Sequence, residues 1–428
     1  MRNHPTCLLL TTLFAICVTM SGCGGGGGGD SSNAAAASAA PAASAPAAAA
    51  PAQPDVPSKP PANTVAQSTT PNVQPIRVAK IATGTRNMLQ TSVTICVPGT
   101  DTCQTIDNVQ VDTGSQGLRI LASALAPTLA LPAVTSSNGS TAATCTVFGS
   151  GYTWGSVRSA DVRLAGEVAP ATSIQIIADP LIPAVPSDCS NSGLPMLTAT
   201  TLRSNGILGV GPFGADCGSG CATTALPRWY YGCTSSGCTS VALPVAQQVT
   251  NPVSRFAADN NGLVIDLPAI ANAGASSVAG TMTFGIGSQS NNLLGNAQVL
   301  PGSTLTGFVS TVFQGKTFGT SFIDSGSNGL FLAMSSSSLP TCGVWFCPTA
   351  IQSLAATIKG ADGTMSNVTF AINNATSLFA SGNNAFSNLA GPAGNYFDWG
   401  LPFFFGRRVF TAIEARATPA GNGPFYAF

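Results

Sequence analysis

Two segments of this sequence carry the same chemistry. Val111-Asp112-Thr113-Gly114-Ser115-Gln116-Gly117-Leu118 returns in the second half of the chain as Ile323-Asp324-Ser325-Gly326-Ser327-Asn328-Gly329-Leu330. One Asp-Thr-Gly or Asp-Ser-Gly alone is an ordinary turn, because aspartate caps its own backbone and glycine supplies a positive φ. Two copies, each flanked by apolar strands, point instead to a facing pair of carboxylates, Asp112 and Asp324. Two carboxyls held together cannot both ionise easily, so they share a proton over acidic pH. The ionised member can take a proton from a water attacking a carbonyl, while the protonated member polarises the carbonyl oxygen. That reaction needs no metal and no cofactor. Around the pair, Thr113 and Ser325 are placed to tie the turns together, and Ser115 and Ser327 to donate to the carboxylates. Gly114 and Gly326 permit close backbone approach where a side chain would collide.

Much other chemistry is excluded by composition. The single histidine, His4, falls in an N-terminal leader. The exported protein therefore has no histidine for Ser-His-Asp or Cys-His catalysis or for a metal site. Lys and Arg number 16, as do Asp and Glu, and charged residues make up only 7% of the chain. Nothing in that balance suits nucleic acid. The abundance of Ser, Thr, Gly and Val, with little Lys or Glu, favours strands and turns over helices.

Arg2 precedes an apolar run from Cys7 to Met20 that is too short to span a bilayer, and Ser21-Gly22-Cys23 follows it. Residues 1–22 read as a signal peptide. Ser21-Gly22-Cys23 resembles the lipobox of bacterial lipoproteins, which implies acylation at Cys23. Gly24 after that cysteine favours the outer membrane. Residues 23–75, rich in Gly, Ala, Pro and Ser, read as a disordered tether of about 40 Å. The expected location is the cell envelope, with the body exported and anchored by lipid.

Beyond Cys23 the cysteines are Cys96, Cys103, Cys145, Cys189, Cys217, Cys221, Cys233, Cys238, Cys342 and Cys347. An even count in an oxidising compartment implies disulfides. Close spacing suggests Cys96 with Cys103, Cys233 with Cys238 and Cys342 with Cys347. Cys217 with Cys221 and Cys145 with Cys189 are then left. A four-thiolate zinc site from Cys217, Cys221, Cys233 and Cys238 is the alternative.

The paired motifs resemble those of the pepsin-like aspartic proteases, and the likeness extends over most of residues 76 to 428. Phe148-Gly149-Ser150-Gly151, in a Thr/Val-rich hairpin, is similar to that family's substrate-covering flap. Asn205 to Gly211 resembles the apolar element that crosses behind the first aspartate. Trp399-Gly400-Leu401-Pro402-Phe403-Phe404 resembles its second-lobe counterpart. Gly280 to Gly285 resembles the strand that opens the second lobe. The resemblance implies an all-β, bilobal pepsin-like acid-protease fold: two six-stranded-barrel-like lobes, residues 76–255 and 256–428, with a cleft between them. It further implies a monomeric endopeptidase that acts on peptide or protein substrates, and Phe403 to Phe405 suggest a taste for apolar side chains. A bacterial lipoprotein family of unknown function also carries paired motifs of this kind. Two positions depart from the protease pattern. Phe148 replaces the flap tyrosine, and Arg119 replaces its aromatic partner, which puts a cation beside the cleft with a substrate carboxylate, Asp161 or Glu167 as candidate partners. Tyr152 and Trp154 are candidates to replace the lost contact. Loss of catalysis, leaving a binding module on the same scaffold, is the alternative function.

Overall fold

The computed structural model describes residues 70–182, 184–334 and 339–428. The expected signal peptide, the acylated Cys23 and most of the expected tether lie outside the described residues.

The sequence repeat is also a repeat of strand topology. Strand Cys103–Asp112 runs into the first aspartate turn and Gln116–Leu121 leaves it. Strand Gly206–Val210 inserts between them, parallel to the first (Asp112 opposite Gly209) and antiparallel to the second (Gly117 opposite Gly209). The second half repeats this with Lys316–Ile323, Leu330–Leu332 and the inserted Phe397–Trp399. There Ile323 lies opposite Trp399 in a parallel pair and Leu330 opposite Trp399 in an antiparallel one. Each outgoing strand also gains a parallel neighbour, Glu167–Ile177 in the first copy and Ala390–Pro392 in the second. Parallel pairs buried on both faces call for continuous apolar runs. Gly206-Ile207-Leu208-Gly209-Val210 and Phe397-Asp398-Trp399 are buried throughout.

The strands form an all-β body of two lobes. Strand Val73–Val78 joins them, pairing with Leu89–Cys96 of the first lobe and, from Val73 opposite Thr283 to Val78 opposite Val278, with Val278–Phe284 of the second. Its first residues fall inside the stretch read as tether. Pro75 and the polar neighbours hide an alternation that buries Gln74, Ile76 and Val78. A seven-stranded sheet carries the second aspartate. Behind it, Phe397 stacks on Trp399 at 4.4 Å between centroids, and the Trp399 indole donates to Thr311 Oγ1 at 3.0 Å. Phe403, Phe404 and Phe405 are buried in this core and do not line the cleft, so their apolar character serves packing.

All ten cysteines among the described residues form disulfides: Cys96 with Cys103, Cys145 with Cys189, Cys217 with Cys221, Cys233 with Cys238 and Cys342 with Cys347. The four candidate zinc thiolates are consumed in two of these bonds. In the chain-entropy account a bond stabilises according to the loop it closes, so the Cys145–Cys189 bond, with a sequence separation of 44, outweighs the Cys217–Cys221 bond, with a separation of 4. Replacing Cys145 and Cys189 together by alanine should lower the unfolding free energy by about 4 kcal/mol, against about 2 kcal/mol for Cys217 and Cys221. Urea unfolding of the two variants measures the difference.

Candidate active site

The two aspartate turns meet back to back. Thr113 Oγ1 donates to the carbonyl of Ile323 at 2.9 Å and accepts the Ser325 amide at 2.9 Å. Ser325 Oγ donates to the carbonyl of Val111 at 2.9 Å and accepts the Thr113 amide at 3.1 Å. Both hydroxyls are fully buried. Gln110 adds a crossing bond from its side-chain amide to the Gly326 carbonyl, at 2.7 Å.

Each carboxylate is held by its own turn. Gly114 N donates to Asp112 Oδ1 at 2.8 Å and Ser115 Oγ to Asp112 Oδ2. Gly326 N donates to Asp324 Oδ1 at 2.7 Å and Ser327 Oγ to Asp324 Oδ2 at 2.8 Å. The glycines are required by the opposite turn. A Cβ on Gly114 would stand 2.6 Å from Asp324 Cγ, and one on Gly326 would stand 2.5 Å from Asp112 Oδ1. Each aspartate thus sits over the other motif's glycine. Burial pushes the Asp112 carboxyl well above the usual range, and the charge of Asp324 and a hydrogen bond to it push further. The Ser115 and Gly114 donors pull it back only in part.

Both aspartates open on a cleft of about 1120 Å³. Phe148, Gly149 and Ser150 line one wall from the hairpin of Thr141–Phe148 and Gly151–Leu164. Gly151 does not line it; a Cβ there would strike the Leu194 carbonyl at 2.1 Å. Phe148 packs beside Met196, Leu202 and Ile207. Tyr152 and Trp154 are buried in a separate cluster around the Cys145–Cys189 bond, with Trp154 edge-on to Tyr231 at 5.2 Å, and do not line the cleft.

Arg119 is not beside the cleft. It is buried in the first lobe, bonded to Gln175 Oε1 at 3.0 Å, the Gln116 carbonyl at 3.3 Å and Asp216 Oδ2 at 2.9 Å. Its partner is thus Asp216, far along the chain, in place of Asp161 or Glu167. Tyr230 donates to the same Asp216 and accepts the Val249 amide at 2.8 Å.

One cleft residue escapes the motif reading. Asp398 lies on Phe397–Trp399 beside the pair, and burial first, then the charges of Asp324 and Asp112, push its carboxyl well above the usual range. The available signal was a lone acid between Phe397 and Trp399, where an unpaired carboxylate is costly.

The profile of a family described as "Protein of unknown function (DUF3443)" matches residues 68–428. The chain belongs to that family. The DUF3443 match spans both aspartate motifs and the cleft. Among curated proteins, none matches the sequence. Among solved structures, an aspartic proteinase from Irpex lacteus is similar with a TM-score of 0.49 and 16% identity, over 83% of this chain and 96% of that one.

A carboxyl whose folded pKa is raised stabilises the fold below its unfolded value, near 3.8 for Asp112, and that contribution is lost as pH rises through the folded value. Asp112→Asn should therefore make the protein more stable than wild type at neutral pH, by about 1.4 kcal/mol for each pH unit of displacement. The gap should close by about pH 3. Thermal unfolding of both proteins across this range checks it.

Proposed function

We propose that this protein is an aspartic endopeptidase that hydrolyses an extended peptide lying in the cleft between its lobes. The observation that carries the reading is the mutual placement of Asp112 and Asp324, each fixed by a glycine amide and a serine hydroxyl and each seated over the other turn's glycine. Burial and mutual repulsion favour one shared proton. The ionised carboxylate removes a proton from water as its oxygen bonds to the peptide carbonyl carbon, and the protonated carboxyl donates to the carbonyl oxygen. Proton transfer to the leaving nitrogen then accompanies rupture of the C–N bond. Phe148 to Ser150 form the cover over the bound peptide.

The five disulfides favour an oxidising compartment. With the leader and Ser21-Gly22-Cys23, they support export and a lipid anchor at Cys23, and we take the body to work as a monomer at the envelope. A second reading, in which the cleft binds peptides without cleaving them, is favoured by Phe148, which packs among apolar residues and has no hydroxyl to offer the pair.

Incubating the purified protein with a mixed peptide library from acidic to neutral pH separates the two readings. Cleavage should be strongest at acidic pH and blocked by a statine-type transition-state mimic. It should fall about a thousandfold or more in Asp112→Asn and in Asp324→Asn. A folded protein that cleaves nothing at any pH leaves the binding reading.

A further inference from the structure

Asp398 stands at the centre of the second lobe's cleft face. On one neighbouring strand its register partner is Phe322, and on the other it is Phe331. Residues in register point to the same face of a sheet, and all three line the cleft. Phe322 stacks on Tyr396 at 5.8 Å with the rings 19° apart, and Phe331 lies against Trp345 at 5.6 Å. One carboxyl is therefore set between two aromatic pairs, with the catalytic aspartates beside it.

One oxygen of this carboxyl lacks the partner that a buried acid ordinarily has. Asp398 is 4% exposed and its Oδ1 has no hydrogen-bond partner. The Ser327 hydroxyl, which donates to Asp324, is also within hydrogen-bond reach of Asp398 and partly offsets the rise in its pKa, leaving Oδ1 without a donor. Of the cleft's arginines, Arg86 is engaged by the Gly84 carbonyl and by Asn384, while Arg203 is exposed. An unpartnered buried acceptor is destabilising, and a ligand that brings a donor relieves that cost. Aromatic walls suit a donor carried on a long apolar stem, since both the methylenes and the cation of lysine or arginine are favourable against rings.

We propose that Asp398, flanked by Phe322 and Phe331, forms an acidic subsite that takes a lysine or arginine side chain of the bound peptide. This deepens the peptidase reading and rests on it for the peptide. Phe322 and Phe331 hold the stem and Asp398 accepts a charge-assisted hydrogen bond from the cation. The subsite makes the cleft selective for basic peptides, whereas the Phe148 wall takes an apolar side chain.

The test uses peptides that differ only in carrying lysine or norleucine, scanned through each position near the scissile bond. Wild type should favour lysine at one position by about tenfold or more in kcat/KM. Asp398→Asn should lose that preference, the ratio of kcat/KM for the lysine and norleucine peptides falling to about one whatever the change in absolute rate. Asp398→Val, suited to the apolar strand, should lose it too and serves where the asparagine variant fails to fold. A preference that survives in either folded variant, or a wild type that favours norleucine everywhere, overturns the subsite. If wild type cleaves nothing, the peptidase reading fails separately, and calorimetric binding of the same peptides decides the subsite. Tighter binding of the lysine peptide to wild type but not to Asp398→Asn supports it, and equal or absent binding overturns it.

Discussion

Everything in this body is arranged to hold two like charges together. Two unit charges about 4 Å apart repel by about 4 kcal/mol at an effective dielectric near 20. Against that, the turns contribute four reciprocal bonds between Thr113 or Ser325 and the opposite strand. Each buried bond of this kind is worth about 1 kcal/mol net, so the restraint and the repulsion are of similar size. A proton shared by the pair tips the balance, which explains why the site is most comfortable with one charge. The twofold relation of the turns follows from the same need. Any donor or glycine required under one carboxylate is required under the other, and the sequence repeats because the geometry does.

The repeat made the dyad legible, because its residues are contiguous and each has a local role. The short-range disulfides were legible for the same reason, and once they were assigned the remaining cysteines had little freedom. Long-range partners were not. The resemblance puts Arg119 at the position of the flap tyrosine's aromatic partner and so beside the cleft, yet strand Gln116–Leu121 turns it into the lobe toward Asp216. Only the fold brings Asp216 and Tyr230 to it. Strand Val73–Val78 was obscured by Pro75, which is tolerated where the strand pairs in the junction between the lobes. Asp398 was passed over because its neighbours read as core, and Phe397 and Trp399 are indeed core.

The placement of Arg119 changes the electrostatics of the site. Its two terminal nitrogens bond to Gln175, Gln116 and Asp216, and Asp216 accepts in turn from Tyr230. Breaking such a buried pair by removing one member is costly, typically about 3 to 5 kcal/mol, because the other charge is left stranded. The network therefore behaves as a fixed part of the first lobe and lends no positive charge to a substrate. The cation that the sequence places beside the cleft is withdrawn from it into the first lobe.

Three carboxyls then line one cleft, Asp112 and Asp398 buried and Asp324 partly so. Asp324 and Asp112 raise the pKa of Asp398, and coupling of this kind is reciprocal, so an ionised Asp398 also disfavours charge on the pair. The third acid is tolerated at low pH because it can be neutral there, with only its unpartnered oxygen to offset. As pH rises, an ionised Asp398 needs a counter-charge, and among the described residues no salt bridge reaches it. A bound cation removes that conflict by letting Asp398 carry its charge without penalising the pair. Binding and ionisation are therefore linked at this site: a cation paired with Asp398 lets it ionise without adding net negative charge beside Asp112 and Asp324.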